Sequence, residues 1–341
     1  MKAMVLQKLA SLKDNQEPLE MQVVPDPEPA EDEILVKVSV CGVCHTELDE
    51  IEGRTPPARL PVIPGHQVIG RVQKSGARAR RFAAGERVGV AWIFSSCGTC
   101  SFCKTDMENL CEHFKATGRD VDGGYAEYMK VHENFVYPIP DNFSDEEAAP
   151  LLCAGAIGFR SLRLSNLKDG QNLGLTGFGA SAHIVIQLAK HQFPNSRIYV
   201  FARSKKDQDF ALELGAVWSG KTEQAPPEKL DAVIDFTPAW KPIVESMRHL
   251  NPGGRLVINA IRKEDEDKDY LMKLDYSKHL WMEKEIKSAA NVTRADVGEF
   301  LRLAAKIPIR AEVREFPLEE ANRALVEMKQ GRTRGAKILR V

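Results

Sequence analysis

Three short strings from distant parts of the chain carry complementary metal-ligand chemistry: Cys44-His45-Thr46, Pro64-Gly65-His66-Gln67 and Ala149-Pro150-Leu151-Leu152-Cys153. Cys44, His66 and Cys153 together offer two thiolates and one imidazole. With a fourth position left for water or substrate, that set suits a catalytic zinc. A second cluster, Cys97-x-x-Cys100-x-x-Cys103-x7-Cys111, puts four thiolates into one short loop and suits a closed structural zinc. Six of the seven cysteines are thereby assigned, and two zinc ions per chain are expected.

The string Cys41-x-x-Cys44-His45 also matches a c-type haem attachment site and a redox Cys-x-x-Cys motif. Haem attachment needs export, and no signal peptide precedes it. A redox motif belongs at the start of a helix in a small βαβ domain, which this region does not resemble. Cys41 therefore reads as a small buried apolar residue.

A third site lies in Gly177-Phe178-Gly179-Ala180-Ser181-Ala182, a G-x-G-x-x-A string between an expected strand and an expected helix. The first glycine permits a tight turn and the second a close approach to a pyrophosphate. Ala182 lets the helix pack on the strand. The helix N-terminus offers free N–H groups to phosphates. Beyond the next strand the chain reads Phe201-Ala202-Arg203-Ser204, with no carboxylate until Asp207. An acidic residue there would hydrogen-bond a ribose 2′-hydroxyl, whereas Arg203 and Ser204 suit a 2′-phosphate, so NADP is favoured over NAD.

These groups need two kinds of scaffold. At 341 residues the chain exceeds one ordinary core, so two domains are expected. Residues 33–40 and 68–72 read as strands in a β-rich, loop-rich first part that holds all the metal ligands. From about residue 155 strands and helices alternate. Residues 173–176, 198–202, 232–236 and 256–261 read as continuous apolar strands, and residues 180–190 repeat apolar side chains at helical spacing. That is the pattern of a doubly wound parallel sheet. After residue 288 a helix at 296–306 and short strands return to the first domain. The expected division is 1–153, 154–288 and 289–341.

The composition is that of an ordinary globular protein, 43% hydrophobic and 28% charged. A net charge of −1 gives no reason to expect nucleic acid or an anionic membrane as a partner. No signal peptide and no membrane-spanning run are visible, which points to the cytoplasm, where clustered thiols favour metal over disulfides.

Together these strings resemble the medium-chain, zinc-dependent alcohol dehydrogenases, as do Asp122-Gly123-Gly124-Tyr125-Ala126-Glu127 and Leu152-Cys153-Ala154-Gly155. The resemblance spans nearly the whole chain. It implies a GroES-like catalytic domain built from both termini and a Rossmann domain between them, an α/β protein with its active site in the cleft. It implies that Cys44, His66 and Cys153 bind the catalytic zinc. It further implies that Thr46 takes the substrate proton, that His45 contacts the pyrophosphate and that Trp92 walls the substrate pocket. The expected partners are a small alcohol or aldehyde and a second copy of the chain, as homodimer or homotetramer.

Three positions depart from the family pattern. Gln67 follows the ligand histidine where Glu is common, Glu47 follows Thr46 where Asp is usual, and Asp49 stands where many members have a proton-relaying histidine. With a reference pKa of about 3.9, Asp49 is a weaker base for that task. The reading is an alcohol dehydrogenase or aldehyde reductase for primary aliphatic or aromatic substrates. A polyol or sugar dehydrogenase, or a catalytically silent dinucleotide-binding sensor, are the alternatives.

Overall fold

The computed structural model describes residues 1–331 and 335–341. They form two compact units, one of Met1–Cys153, Thr293–Lys306 and Arg310–Val341, the other of Ala154–Val292 and Ile307–Ile309.

The first unit is built on a seven-stranded sheet. Strand β1 (Glu33–Val43) is its centre, because Val36, Val38, Val40 and Cys41 are all buried there. A seven-residue helix α1 (His45–Ile51) follows it at once. Strands β2 (Val68–Ser75), β3 (Arg87–Val90), β4 (Tyr128–His132) and β5 (Val136–Pro138) complete the N-terminal contribution. β2 and β4 flank β1 antiparallel, and β3 and β5 extend the β2 side. The C-terminal strand Ala336–Arg340 pairs antiparallel with β1, and Val313–Pro317 lies parallel beyond it. The strands expected at 33–40 and 68–72 are thus the first parts of longer ones.

The second unit begins with helix α2 (Ala154–Leu164) and then alternates. Its elements are β6 (Asn172–Thr176), α3 (Ala182–Gln192), β7 (Arg197–Phe201), α4 (Lys205–Glu213), β8 (Trp218–Gly220), β9 (Leu230–Asp235), α5 (Lys241–Met247), β10 (Leu250–Ile258) and β11 (Glu285–Ser288). The six-stranded sheet has the order β8-β7-β6-β9-β10-β11, with every pairing parallel. This is the doubly wound order in which the chain changes direction between β6 and β9, and ligands bind at that switch point.

Several boundaries shift from those expected: the helix expected at 296–306 lies at Arg294–Ala304, and the strand expected at 256–261 at Leu250–Ile258. Helix α3 starts at Ala182, because Ala180 and Ser181 belong to the turn before it. The second unit runs to Val292, past residue 288, because the chain after β11 stays on the sheet, with the Ala289 N–H donating to the Ile258 carbonyl at 2.9 Å, while Thr293 caps the next helix by accepting from the Asp296 N–H. No helix among the described residues is long and apolar enough to cross a membrane.

Candidate active site

The first unit brings together three residues remote in sequence. Cys44 caps the N-terminus of α1, His66 precedes β2, and Cys153 ends a short 3-10 segment, Ala149–Leu152. One ligand atom from each lies within 4.8 Å of the others. The loop that carries His66 is laced to a second loop by main-chain bonds. Gly123 donates to Ile63 (2.7 Å), Gly124 to Gly65 (2.9 Å) and Tyr125 to Pro64 (3.0 Å). Gly65 has a φ of +103°, and a Cβ there would lie 2.4 Å from the Tyr125 ring, so only glycine fits beside the histidine.

Glu47 fixes the histidine. Its carboxylate accepts from the Cys44 N–H at 2.7 Å, as an N-cap partner of α1, and its other oxygen lies 2.5 Å from His66 Nδ1. With Nδ1 so engaged, His66 Nε2 has no partner although the residue is only 1% exposed. A buried ring nitrogen left free by a carboxylate on the opposite nitrogen is the arrangement of a metal-ligating histidine. The donor set of two sulfurs and one imidazole nitrogen therefore fits zinc with an open position. The Cys153 thiol beside Cys44 holds it well below the usual thiol range, and Cys44 in turn pushes Cys153 well above that range.

Thr46 is buried, with its hydroxyl 3.6 Å from the Cys44 sulfur. His45 opens α1 and is exposed. Trp92 is buried against Phe114 at 5.2 Å, with the Arg119 guanidinium 5.2 Å from its ring and its indole N–H without a partner. Gln67 is buried, with its side chain packed across Gly42. Asp49, expected as a distal proton acceptor, is buried on α1. Its carboxylate is 2.6 Å from Arg54 Nε, an ion pair that ties it to the turn after α1.

The sequence reading missed Glu50. It is 1% exposed, and neither of its carboxylate oxygens has a hydrogen-bond partner. Burial pushes its pKa well above the carboxylate range, and the charge of Glu47 adds to this. The Tyr125 hydroxyl is likewise buried without a partner. Only the i, i+3 spacing of Glu47 and Glu50 on α1 hinted that both point inward.

The four-cysteine loop also closes on itself. Cys97, Cys100, Cys103 and Cys111 place their sulfurs within 4.8 Å of one another. Backbone N–H groups of Thr99 and Cys100 push the Cys97 thiol down to about 5, so a thiolate ligand is favoured there.

In the second unit, residues 177–182 form the turn between β6 and α3. Gly177 has a φ of +78°, and a Cβ on it would lie 2.9 Å from the Thr237 methyl. Gly179 is exposed and faces open space, while Ala182 is fully buried. Phe178 is buried edge-on against Phe210 at 5.5 Å, which anchors the turn and leaves its main chain to face a ligand. Arg203 is exposed just after β7. Ser204 caps α4, accepting from the Asp207 N–H at 3.0 Å and donating to its carboxylate at 2.6 Å. Its hydroxyl is thus committed to the helix.

Residues 30–141 match the family model of the alcohol dehydrogenase GroES-like domain, and residues 199–339 match that of the zinc-binding dehydrogenases. A probable alcohol dehydrogenase, AdhA, of Mycobacterium tuberculosis (strain CDC 1551 / Oshkosh) is 42% identical over 327 residues, covering 94% of this chain and 92% of the relative. The chain belongs to the medium-chain, zinc-dependent alcohol dehydrogenase family. An alcohol dehydrogenase of Geobacillus stearothermophilus is 32% identical over 343 residues, 98% of this chain and 99% of its own. The structure of a cobalt- and zinc-bound thermostable alcohol dehydrogenase from Pyrobaculum aerophilum superposes with a TM-score of 0.88 at 24% identity, covering 100% of this chain and 99% of that one. That last likeness concerns the fold, a GroES-like unit plus a Rossmann unit, as the sequence leads one to expect. The family places this enzyme among the oxidoreductases of alcohols and aldehydes.

Proposed function

We propose that this alcohol dehydrogenase interconverts primary aliphatic or aromatic alcohols and their aldehydes in the cytoplasm, with one zinc at Cys44, His66 and Cys153, a second at the four-cysteine loop, and NADP preferred over NAD. The observation that carries the reading is the buried three-ligand cluster, with His66 Nδ1 held by Glu47 and Nε2 free. When bound there, zinc supplies a Lewis acid that makes an alcohol hydroxyl acidic near neutral pH. Thr46, two residues beyond Cys44 with its hydroxyl beside that sulfur, relays the alcohol proton, taking it while its own hydroxyl proton passes on toward the cofactor ribose. Glu47 keeps the imidazole in the ligating tautomer.

The main chain of the turn at 177–182 holds the pyrophosphate. Arg203 carries the preference for a 2′-phosphate, since Ser204 is occupied as a helix cap. Asp49 is left out of the proton path because Arg54 engages it. Self-association is supported at the edge strand β11, which among the described residues has only β10 beside it, carries the exposed Ile286 and follows the exposed Tyr276, Trp281 and Met282 in sequence.

The test is a steady-state assay of the purified protein with primary alcohols, polyols and aldehydes, each with NAD and with NADP. Turnover of primary alcohols and aldehydes is expected. Turnover confined to polyols, or none from zinc-loaded protein, would overturn the reading.

A further inference from the structure

Asp235 ends β9 and Lys263 lies beyond β10, and their side chains are only 0% and 7% exposed. Lys263 Nζ donates to Asp235 Oδ2 and to the main-chain oxygens of Thr237 (2.7 Å) and Ala239 (3.1 Å). These bonds use all three of its protons. Asp235 Oδ1 accepts from the hydroxyl of Thr176, from the hydroxyl of Thr237 at 2.8 Å and from the Thr237 N–H at 3.3 Å. Thr176 is the last residue of β6, and Gly177 follows it. The Thr237 methyl lies 2.9 Å from where a Cβ on Gly177 would sit. One buried ion pair thus ties together the end of β6, the end of β9 and the segment after β10, at the point where the sheet order reverses.

A buried ion pair of this kind is a poor way to gain stability, since apolar residues of similar volume often serve as well. What it provides is directional fixing of the groups it bonds. We propose that Lys263 and Asp235 are positioning residues that hold the 177–182 turn in the shape that receives the dinucleotide pyrophosphate. Asp235 acts through Thr176 and Thr237, and Lys263 through Asp235 and the carbonyls of Thr237 and Ala239. The inference rests on the reading of that turn as the nucleotide site.

The experiment measures the dissociation constants of NADPH and NADH by nicotinamide fluorescence on the full-length, zinc-loaded enzyme. Thermal midpoint, alcohol KM and kcat at saturating cofactor are measured alongside. Lys263→Met is expected to weaken nucleotide binding by on the order of tenfold while leaving alcohol KM and zinc content unchanged, because a small misplacement of a binding turn is amplified in affinity. Thr237→Val keeps the shape but loses the hydroxyl, and should weaken binding in the same direction by less. It carries the test if Lys263→Met does not fold. Lys263→Met combined with Asp235→Asn should bind nucleotide no worse than Lys263→Met alone, since the two act as a unit.

If folded Lys263→Met and Thr237→Val bind nucleotide like the parent and differ only in thermal midpoint, the network is structural and the proposal fails. Failure of the underlying reading looks different. Gly179→Val has room in the fold but fills the space that a phosphate would enter. A parent enzyme that binds neither nucleotide, or a Gly179→Val variant that binds like the parent, would remove the nucleotide site from this turn.

Discussion

Replacing Glu47 separates two roles that one buried carboxylate performs. Glu47 is 0% exposed and accepts from His66 Nδ1 at 2.5 Å and from the Cys44 N–H at 2.7 Å. Glu47→Ala leaves the buried His66 Nδ1 and the half-buried Cys44 N–H without an acceptor. Each orphaned donor costs roughly 1–3 kcal/mol, so folding should lose about 2–4 kcal/mol once a water entering the vacated space is allowed for. The metal feels only the histidine part, because the imidazole loses its fixed orientation and some basicity. Outer partners of ligating histidines are typically worth about 10–100-fold in metal affinity, or roughly 1.4–2.7 kcal/mol. Glu47→Gln keeps the shape, and its amide oxygen can accept from His66 while its NH2 faces the Cys44 N–H. It should therefore lose about 1–3 kcal/mol of stability from the orphaned donor and keep zinc affinity within a few-fold. The assay is competition with a chromophoric chelator at fixed pH, alongside thermal unfolding of the same samples. Equal zinc affinity for the parent and for folded Glu47→Ala would refute the assignment of Glu47 as the group that orients His66.

Thr46→Ala is expected to lower kcat by roughly 10² or more with zinc still bound, and Thr46→Ser to retain most activity, because only the hydroxyl moves the proton; steady-state kinetics on zinc-assayed samples check this. Arg203→Asp should weaken NADPH binding much more than NADH binding, since a carboxylate repels a 2′-phosphate but can accept from a 2′-hydroxyl, and equal losses measured by fluorescence titration would mean that Arg203 is only a solvated surface charge. His249 is half-buried and stacked on Phe201, and burial, with the charges of Lys229 and Arg248, pushes its pKa down to about 4. A depressed folded-state pKa makes the unfolded chain bind the proton first, so the stability His249 contributes is whole above about pH 6.5 and is lost as pH falls toward 4. The full shift corresponds to roughly 3 kcal/mol, and partial exposure reduces the expected loss to about 1–2 kcal/mol. His249→Phe should flatten that part of the stability profile in denaturant titrations, and an unchanged slope would contradict the burial argument.

Side chains whose chemistry announces itself were legible before the fold was known. Cysteine and histidine have few roles in such patterns, and the structure gathers Cys44, His66 and Cys153 as well as the four-cysteine loop. The parallel sheet was legible because its strands are apolar without interruption. What sequence concealed depends on tertiary partners. Asp49 reads as a proton acceptor until Arg54 folds back onto it, and Ser204 as a phosphate ligand until it caps α4. Glu50 and Lys263 look like ordinary surface charges, and only the packing around them shows that both are buried. The unit boundary at Val292 is set by strand pairing and a helix cap, which no run of residue types marks.

The central claim is that Cys153, Cys44 and His66 hold a zinc on which turnover depends, independently of the zinc in the four-cysteine loop. Cys153→Ser tests it most directly, by elemental mass spectrometry of zinc per chain together with alcohol oxidation and thermal unfolding of one preparation. Zinc should fall from two per chain to one and activity should be lost, with the cooperative unfolding transition retained. A variant that keeps two zinc ions, or that oxidises alcohol at the parent rate with one, would contradict it.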